Sequence, residues 1–468
     1  MDMREDLTRY YDALAPRRDR FRRASGYYYR TLTRLYRYFV PEGKKVLEVG
    51  TGTGDLLNAL RPSAGVGVDL SPAMVAIARK KYPHLRFEAG SINAATDAGT
   101  FDYVILPGVL GEAVDIQALL RSLRGFCTRD TRLVIEYYSY LWQVVLRVAE
   151  KLGLKMPQPE QNWLTADDIV NFLRLAGYEL VSKERAMLCP VNLWLVSDLI
   201  NRYLAKLPFF NALTLNHFII ARPIFPPEKD LSVTVLVPCR NEKGNIEAAV
   251  VRTPAFGAEQ EFIFVEGHSK DGTYEEVERV IRKYPQKNIR LYKQPGKGKG
   301  DAVRFGFSQA KGDVLMILDA DLTVMPEDLP KFYEALRDGT GEFINGCRLV
   351  YPLEKEAMRF LNLIANKLFG LFFSWLLGQR FKDTLCGTKV MLRRHYLELV
   401  ANRHYFGDFD PFGDFDLIFG AVKLNLKVVE LPVRYRSRSY GETQIQRFRH
   451  GLLLARMCLF AMKKIKFI

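Results

Sequence analysis

One stretch, Val314-Leu-Met-Ile-Leu-Asp-Ala-Asp-Leu322, limits what this chain can fold into more than any other, because five apolar residues run straight into two carboxylates one residue apart. A short apolar run of this kind reads as a strand buried on both faces, as in parallel sheets covered by helices. Ligands of such sheets bind beyond the carboxyl ends of the strands, which is where Asp319 and Asp321 fall. Alternate residues of an extended chain point the same way, so the two acids are expected to converge on one ligand. Two hard oxygen donors suit a divalent cation, Mg2+ or Mn2+, that also takes diphosphate oxygens.

A chain of 468 residues exceeds one ordinary domain. Its net charge of +15 calls for an anionic partner: nucleotide phosphates, nucleic acid or an acidic membrane surface. The basic residues gather near phosphate-handling motifs, so nucleic acid is not the expected partner. The six cysteines (127, 189, 239, 347, 386 and 458) are scattered without a Cys-x-x-Cys pair, which argues against a disulfide framework or structural zinc and for a reducing compartment. The charged N-terminus has no apolar core and does not read as a signal peptide. Leu361 to Gly378 is broken by Asn362, Asn366, Lys367 and Ser374, too polar for a transmembrane helix. The expected location is the cytoplasm, on the cytoplasmic face of the cell membrane.

The first forty residues interleave arginine and tyrosine, as in Tyr27-Tyr28-Tyr29-Arg30, and read as an amphipathic helix covering the next domain or as a basic surface. Next, Lys45-Val-Leu-Glu-Val-Gly-Thr-Gly-Thr-Gly54 is a strand entering a glycine turn that permits close approach of backbone to a ligand. A second strand, Val66-Gly-Val-Asp69, ends in an acid able to hold ribose hydroxyls, and Ser71-Pro72 reads as the cap and first turn of a helix. Phe87 to Ser91, Phe101 to Leu106, Arg132 to Glu136, Tyr178 to Val181 and Asn216 to Arg222 continue the alternation.

This order resembles the class I S-adenosylmethionine-dependent methyltransferases over about residues 20 to 222. The match rests on Glu48, Gly50, Gly52 and Gly54 in the first motif and on Asp69 after the second strand. The resemblance implies a Rossmann-like fold with S-adenosylmethionine as cofactor. It sets the glycine turn against the methionine moiety, Asp69 on the ribose, and Ser91 and Ile92 beside the adenine. Pro107, Gly108, Glu112 and Tyr137 fall near the expected mouth, with no role assigned.

Ala221-Arg-Pro-Ile-Phe-Pro-Pro-Glu-Lys-Asp230 has three prolines and no periodicity, so it reads as a linker. The expected division is 1–222, a linker at 223–230, and 231–468. Strands alternate with helices again from Ser232-Val-Thr-Val-Leu-Val-Pro-Cys-Arg-Asn-Glu242 through Glu261-Phe-Ile-Phe-Val-Glu266 and Asn288 to Tyr292. Ser269 or Asp271 is expected to cap the helix after Glu266. Gly296-Lys-Gly-Lys-Gly-Asp301 then opens a helix, and positive charge at a helix N-terminus suits phosphate.

The second half resembles the family 2 glycosyltransferases of the GT-A fold, and among them the dolichyl- and polyprenyl-phosphate sugar transferases. The matching motifs are Val237-Pro-Cys-Arg-Asn-Glu242, Val265 to Thr273, Asp319-Ala-Asp321, Asp383-Thr-Leu-Cys-Gly-Thr-Lys389, Asp416, and Val429 through Thr443. Two departures stand out: Glu266-Gly267 replaces the usual Asp-Asp, and Thr323 stands where glutamine is common. The resemblance implies that Pro238, Arg240, Glu242, Glu266, Ala320, Arg436 and Arg438, with Lys299 from the basic loop, hold a nucleotide-sugar. Asp319 and Asp321 hold the metal, and Asp416 is the base if the acceptor is a hydroxyl.

Two α/β domains, each with a mainly parallel sheet, are therefore expected. The resulting function is a bifunctional enzyme, with sugar loaded onto a polyprenyl-type phosphate and methyl moved from S-adenosylmethionine to an unspecified acceptor. The alternative is sugar transfer to a hydroxyl, with the first domain a non-catalytic scaffold. Two apolar-basic segments, 361 to 378 and 451 to 468, are candidates for peripheral membrane contact. The sequence leaves the sugar, the nucleotide and the oligomeric state open.

Overall fold

The computed structural model describes residues 3–229, 231–352, 360–403, 413–436, 438, 440 and 456–467, excluding the side chains at 96, 360–365 and 414. The chain forms two compact units, Met1–Phe225 with Phe467–Ile468, and Pro226–Lys466.

The first unit holds seven strands: β1 Lys45–Val49, β2 Ala64–Asp69, β3 Arg86–Ala89, β4 Phe101–Pro107, β5 Cys127–Tyr138, β6 Tyr178–Ala186 and β7 Asn216–Pro223. They lie in the order β3-β2-β1-β4-β5-β7-β6. Every pairing is parallel except those of β7 with β5 and β6. The order of the strands reverses between β1 and β4, which run parallel, so the C-terminal ends of β1, β2, β4 and β5 frame a crevice. The tyrosine-arginine stretch becomes the helix Gly26–Phe39, which buries Leu32, Leu35, Tyr36 and Phe39. Tyr36 meets Phe218 of β7 edge-to-face, so this segment is a core-covering helix.

The second unit repeats the logic with β8 Val233–Cys239, β9 Gln260–Glu266, β10 Asn288–Lys293, β11 Val314–Ile317, β12 Phe343–Cys347, β13 Lys389–Leu392 and β14 Val428–Pro432. The order is β10-β9-β8-β11-β13-β12-β14, with β13 antiparallel to both neighbours. β11 is fully buried, as its apolar run requires.

Of the proline-rich residues, Pro223 is the last of β7. Ile224 donates its N–H to Gly177 of the first unit, while Glu228 pairs with Arg394 of the second at 2.8 Å. Of the segments read as membrane-contacting, the helix Phe360–Leu377 buries Phe373, Leu376 and Leu377. Phe373 stacks on Phe419. Met457, Ala461 and Ile465 near the C-terminus are also buried, while Leu368, Leu371 and Leu459 stay exposed. Residues 451–455 and the side chains of 361–365 lie outside the described residues. Among the described residues no helix is long and apolar enough to cross a membrane.

Candidate active sites

In the first unit the glycine turn leaves β1 with Gly50, Gly52 and Gly54 all at positive φ. A Cβ on Gly50 would stand 2.6 Å from Val109, and one on Gly54 would stand 2.7 Å from Phe87, so side chains are excluded there. Asp69 closes the turn: one oxygen accepts from the Gly52 N–H (2.7 Å), the other from the Ser71 N–H (2.9 Å). Ser71 caps the next helix as its sequence predicts, accepting from the Met74 N–H. Glu48 is buried beneath, accepts from the Thr51 hydroxyl (2.7 Å), and is pushed up to about 8 by burial.

These residues wall a cavity of about 1110 Å³, to which Glu48, Gly50, Gly52, Asp69, Ser91 and Ile92 all contribute. Gly54 turns away toward Phe87 and Tyr82 instead. Pro107, Gly108 and Glu112 line the cavity too. Tyr137 is buried in the core.

The cavity's polar groups come mostly from residues that local pattern does not mark. Tyr11, on the N-terminal helix Met3–Leu14, donates to Glu112 (2.5 Å), and Gln158 donates to the same oxygen (3.1 Å). Arg18 donates to the Tyr29 hydroxyl (3.1 Å). Tyr28 donates to Tyr138 (3.2 Å), and Asn216 donates to both Tyr28 and Glu136. Burial pushes Glu136 from the usual 4.5 up to about 7. Folding thus favours its neutral form, and this stabilisation is complete below about pH 4.5 and lost as pH rises through about 7. Glu136→Gln is expected to flatten the dependence of melting temperature on pH across that window, read by thermal scans.

In the second unit three loops leave the C-terminal ends of β8, β9 and β11 through non-glycine residues at positive φ: Asn241, His268 and Leu322. Such backbone costs about 1–3 kcal/mol per residue and persists where surrounding structure enforces it, as at binding sites. Asn241 is held by its side chain, which accepts from the Lys270 N–H, and by its own N–H, which donates to Ser269.

Asp319 and Asp321 lie beyond the last residue of β11, in a turn closed by the Leu322 N–H donating to the Asp319 carbonyl. Strand alternation therefore does not orient them. Each acid is instead clamped by its own cation. Asp319 pairs with Lys299 at 2.6 Å. Burial raises its affinity for a proton, but Lys299, Lys389 and Arg348 outweigh this and hold it below the usual carboxylate range. Asp321 accepts from the Thr323 N–H (3.1 Å), the Thr323 hydroxyl (2.9 Å) and Arg438 (2.7 Å). Thr323, the departure from the family pattern, thus serves as a support for the second acid.

Arg438 also reaches Glu242 at 3.3 Å. Glu242 accepts from Asn245 (2.8 Å) and is pushed up to about 7 by burial. Arg438 arrives because Val324 and Tyr435 form an antiparallel bridge and the Arg436 N–H donates to Thr323. Residues 441–443 of this late segment lie outside the described residues. Ser269 does not cap the following helix; its hydroxyl accepts from the Asn241 N–H. Gly272 is the N-cap, and Asp271 accepts from the Thr273 N–H. Glu266 is buried and accepts from the Ser269 N–H of its own loop. Pro238 is partly exposed at the end of β8, Arg240 is exposed, and Ala320 belongs to the core.

Lys299 opens the helix Lys299–Gln309, preceded by Gly298 at positive φ. Asp301 braces the loop by accepting from the Gly296 N–H and from Gln294. Gly387 packs against the acid-lysine pair so closely that a Cβ would overlap the Asp319 carboxylate and stand 2.5 Å from Lys299 Nζ. The Cys-Gly block is visible in sequence; this close approach is not.

Asp383, in the same block, is wholly buried and accepts from the Arg348 guanidinium at 2.7 and 2.9 Å. Burial opposes its ionisation, yet Arg348 holds it below the usual carboxylate range. It is a brace that joins β12 to β13. Arg348→Ala leaves this buried charge uncompensated and is expected to cost about 3–5 kcal/mol by denaturant titration. Asp416 lies on the helix Asp414–Lys423 and pairs with Arg403 at 2.8 Å. That helix begins against the Lys299 loop, since a Cβ on Gly413 would stand 2.7 Å from Gly300 Cα.

Both sites lie at the carboxyl ends of α/β sheets and present groups suited to binding and moving a charged group. Comparison with known proteins gives the families. A family model described as methyltransferase domain matches residues 17–183, and one described as glycosyl transferase family 2 matches residues 234–400. The chain joins a methyltransferase domain to a family 2 glycosyltransferase domain.

It is 31% identical over 223 residues to the dolichol-phosphate mannosyltransferase of Pyrococcus furiosus, covering 46% of this chain and 60% of that protein. It is 23% identical over 226 residues to the undecaprenyl-phosphate 4-deoxy-4-formamido-L-arabinose transferase of Klebsiella pneumoniae, covering 47% and 64%. The chain thus spans less than two thirds of either relative. A glucosyl-3-phosphoglycerate synthase structure from Mycobacterium tuberculosis with Mn2+, UDP-glucose and phosphoglyceric acid is 17% identical, with a TM-score of 0.37 over 50% of this chain and 79% of that one. A magnesium protoporphyrin IX methyltransferase structure from Synechocystis is 16% identical, with a TM-score of 0.35 over 47% and 99%.

Proposed function

We propose that the second domain transfers a sugar from a nucleotide-sugar to a polyprenyl-type phosphate, and that the first moves methyl from S-adenosylmethionine to an acceptor. The observation that carries the first half is the acid pair Asp319 and Asp321, each held by a cation at the end of β11. The donor set fits a hard divalent ion: two carboxylates whose neutralising partners, Lys299 and Arg438, can shift to phosphate oxygens. Mg2+ or Mn2+ held there would supply charge neutralisation to a diphosphate leaving group.

This chain's own residues do the rest. Lys299 at a helix N-terminus and Arg438 offset the charge that grows on the leaving diphosphate, with Arg436 two residues before Arg438 in the same segment. Pro238 and Glu266, at the ends of β8 and β9, and Arg240, Glu242 and Ala320, in the loops that follow β8 and β11, would border the nucleotide. A lipid phosphate is already anionic and attacks without a base. Asp416, for which a hydroxyl acceptor would be the use, is engaged by Arg403. Both relatives named above act with a polyprenyl-type phosphate, and this reading places the enzyme on a membrane face.

For the methyltransferase half, Gly50, Gly52 and Asp69 around one cavity support cofactor binding, with Glu48, Ser91 and Ile92 beside them. The test is incubation with divalent metal, a panel of nucleotide-sugars and a short polyprenyl phosphate. An acid-labile, lipid-extractable product is expected. An acid-stable, water-soluble glycoside would instead assign a hydroxyl acceptor.

A further inference from the structure

The cavity of the first unit is larger than a cofactor needs. At about 1110 Å³ it exceeds the roughly 300–1,000 Å³ that houses a drug-sized ligand, leaving room for a second molecule. The lining away from the glycine turn has a definite chemistry. Val145, Val148, Leu152 and Leu154 of the helix Gln143–Lys151 and the residues after it, with Val191 facing in from another loop, form its outer wall. All five are at least half exposed to solvent, from 50% for Val148 to 67% for Leu152 and Leu154. The same aliphatic side chains therefore line the cavity and form an apolar rim around its opening. Leu193, Trp194 and Leu195, which follow Val191 in sequence, are exposed as well, Trp194 at 79%. A contiguous apolar patch at a cavity mouth marks something apolar that enters there.

Arg18, Arg22, Arg23 and Arg30 of the helices Arg18–Ala24 and Gly26–Phe39 line the same cavity, with Arg22 paired to Asp55 at 3.6 Å. Their charge complements an anion. Deeper in are the Tyr11–Glu112 and Tyr28–Tyr138 pairs, whose hydroxyls and carboxylate can order a polar head.

Resting on the reading of this unit as a methyltransferase, we propose that its methyl acceptor is a membrane lipid with an anionic, hydroxyl-bearing head and a long apolar chain, the class of product proposed above for the second domain. The chain leaves along the Val145–Leu154 wall into a bilayer, and the arginines receive the phosphate. A head-group hydroxyl oxygen bonds to the methyl carbon as the carbon–sulfur bond breaks. The electron pair returns to sulfur, giving S-adenosylhomocysteine, and the hydroxyl proton passes to the Glu112 carboxylate. A water-soluble acceptor would leave the aliphatic rim without a function and would not need it.

The test uses the full chain with radiolabelled S-adenosylmethionine and a lipid extract of source-cell membranes dispersed in phosphatidylcholine–phosphatidylglycerol vesicles, beside the aqueous phase of the same extract. Label is expected in the lipid fraction. In a Val145→Glu, Leu152→Glu variant it should fall about tenfold or more, because the apolar wall then carries charge, while calorimetric cofactor binding and sugar transfer stay unchanged. Label confined to the aqueous fraction, or to neither fraction while the cofactor still binds, overturns the lipid assignment alone. Absence of cofactor binding by the folded protein overturns the methyltransferase reading and this inference with it.

Discussion

Asp321→Ala is expected to abolish sugar transfer, lowering turnover about 10³-fold or more, while S-adenosylmethionine binding is unchanged. Asp321 accepts three hydrogen bonds, two from Thr323 and one from Arg438. Alanine removes one of the two acids proposed to hold the metal and frees Arg438 from the position that links the turn to Glu242. The diphosphate would then lose both a metal ligand and a correctly placed cation. Asp321→Asn keeps the Thr323 contacts and the size of the side chain but removes the charge, so it should lose nearly as much activity with little loss of stability. Sugar incorporation and calorimetric cofactor binding, measured on the same preparations, check both halves. A variant that keeps wild-type turnover would sink the metal-clamp assignment. Loss of cofactor binding as well would argue against two independent sites.

Gly387→Ala should be nearly as damaging, although alanine adds only one carbon. That carbon would overlap Asp319 and press on Lys299, so the acid-lysine pair must move or the backbone of the Cys-Gly block must shift. A displacement of about 1 Å in such a constellation costs about 10²-fold in rate. The expected signature is a fall in turnover with a rise in the metal concentration needed for half-maximal rate, measured by metal titration of the transferase assay. A thermal scan on the same variant separates this from unfolding. Turnover within twofold of wild type would show that Asp319 tolerates displacement and is not held in place for catalysis.

Much of the architecture is legible without coordinates. The apolar runs ending in Asp69, Glu266 and the Asp319–Asp321 pair are the strands β2, β9 and β11 or their immediate continuations. Ser71-Pro72 starts a helix because serine satisfies an orphan N–H and proline lacks one to satisfy. These signals are local: periodicity, turn residues and caps act over a few positions. They also explain where pattern misleads. Asp319 and Asp321 look oriented by strand alternation, but the strand stops at Ile317 and a turn with Leu322 at positive φ takes over. Ser269 reads as a helix cap, but its hydroxyl accepts from the Asn241 N–H, and Gly272 holds the N-cap position.

What the order of residues determined by itself was the pair of α/β sheets, the loops that carry acids and glycines, and the families those loops match. The partners of those acids were decided only by the tertiary structure. Arg438 meets Asp321 from 117 positions away, and Tyr11 meets Glu112 from 101. Gly387 is brought against Asp319 and Lys299 by the pairing of β13 with β11. Such meetings depend on closing long loops around a packed sheet, and their specificity lies in distances and shapes that no spacing along the chain encodes. The apolar rim of the first cavity is of the same kind. Its valines and leucines look in sequence like any helix core, and only the fold leaves them facing outward at an opening.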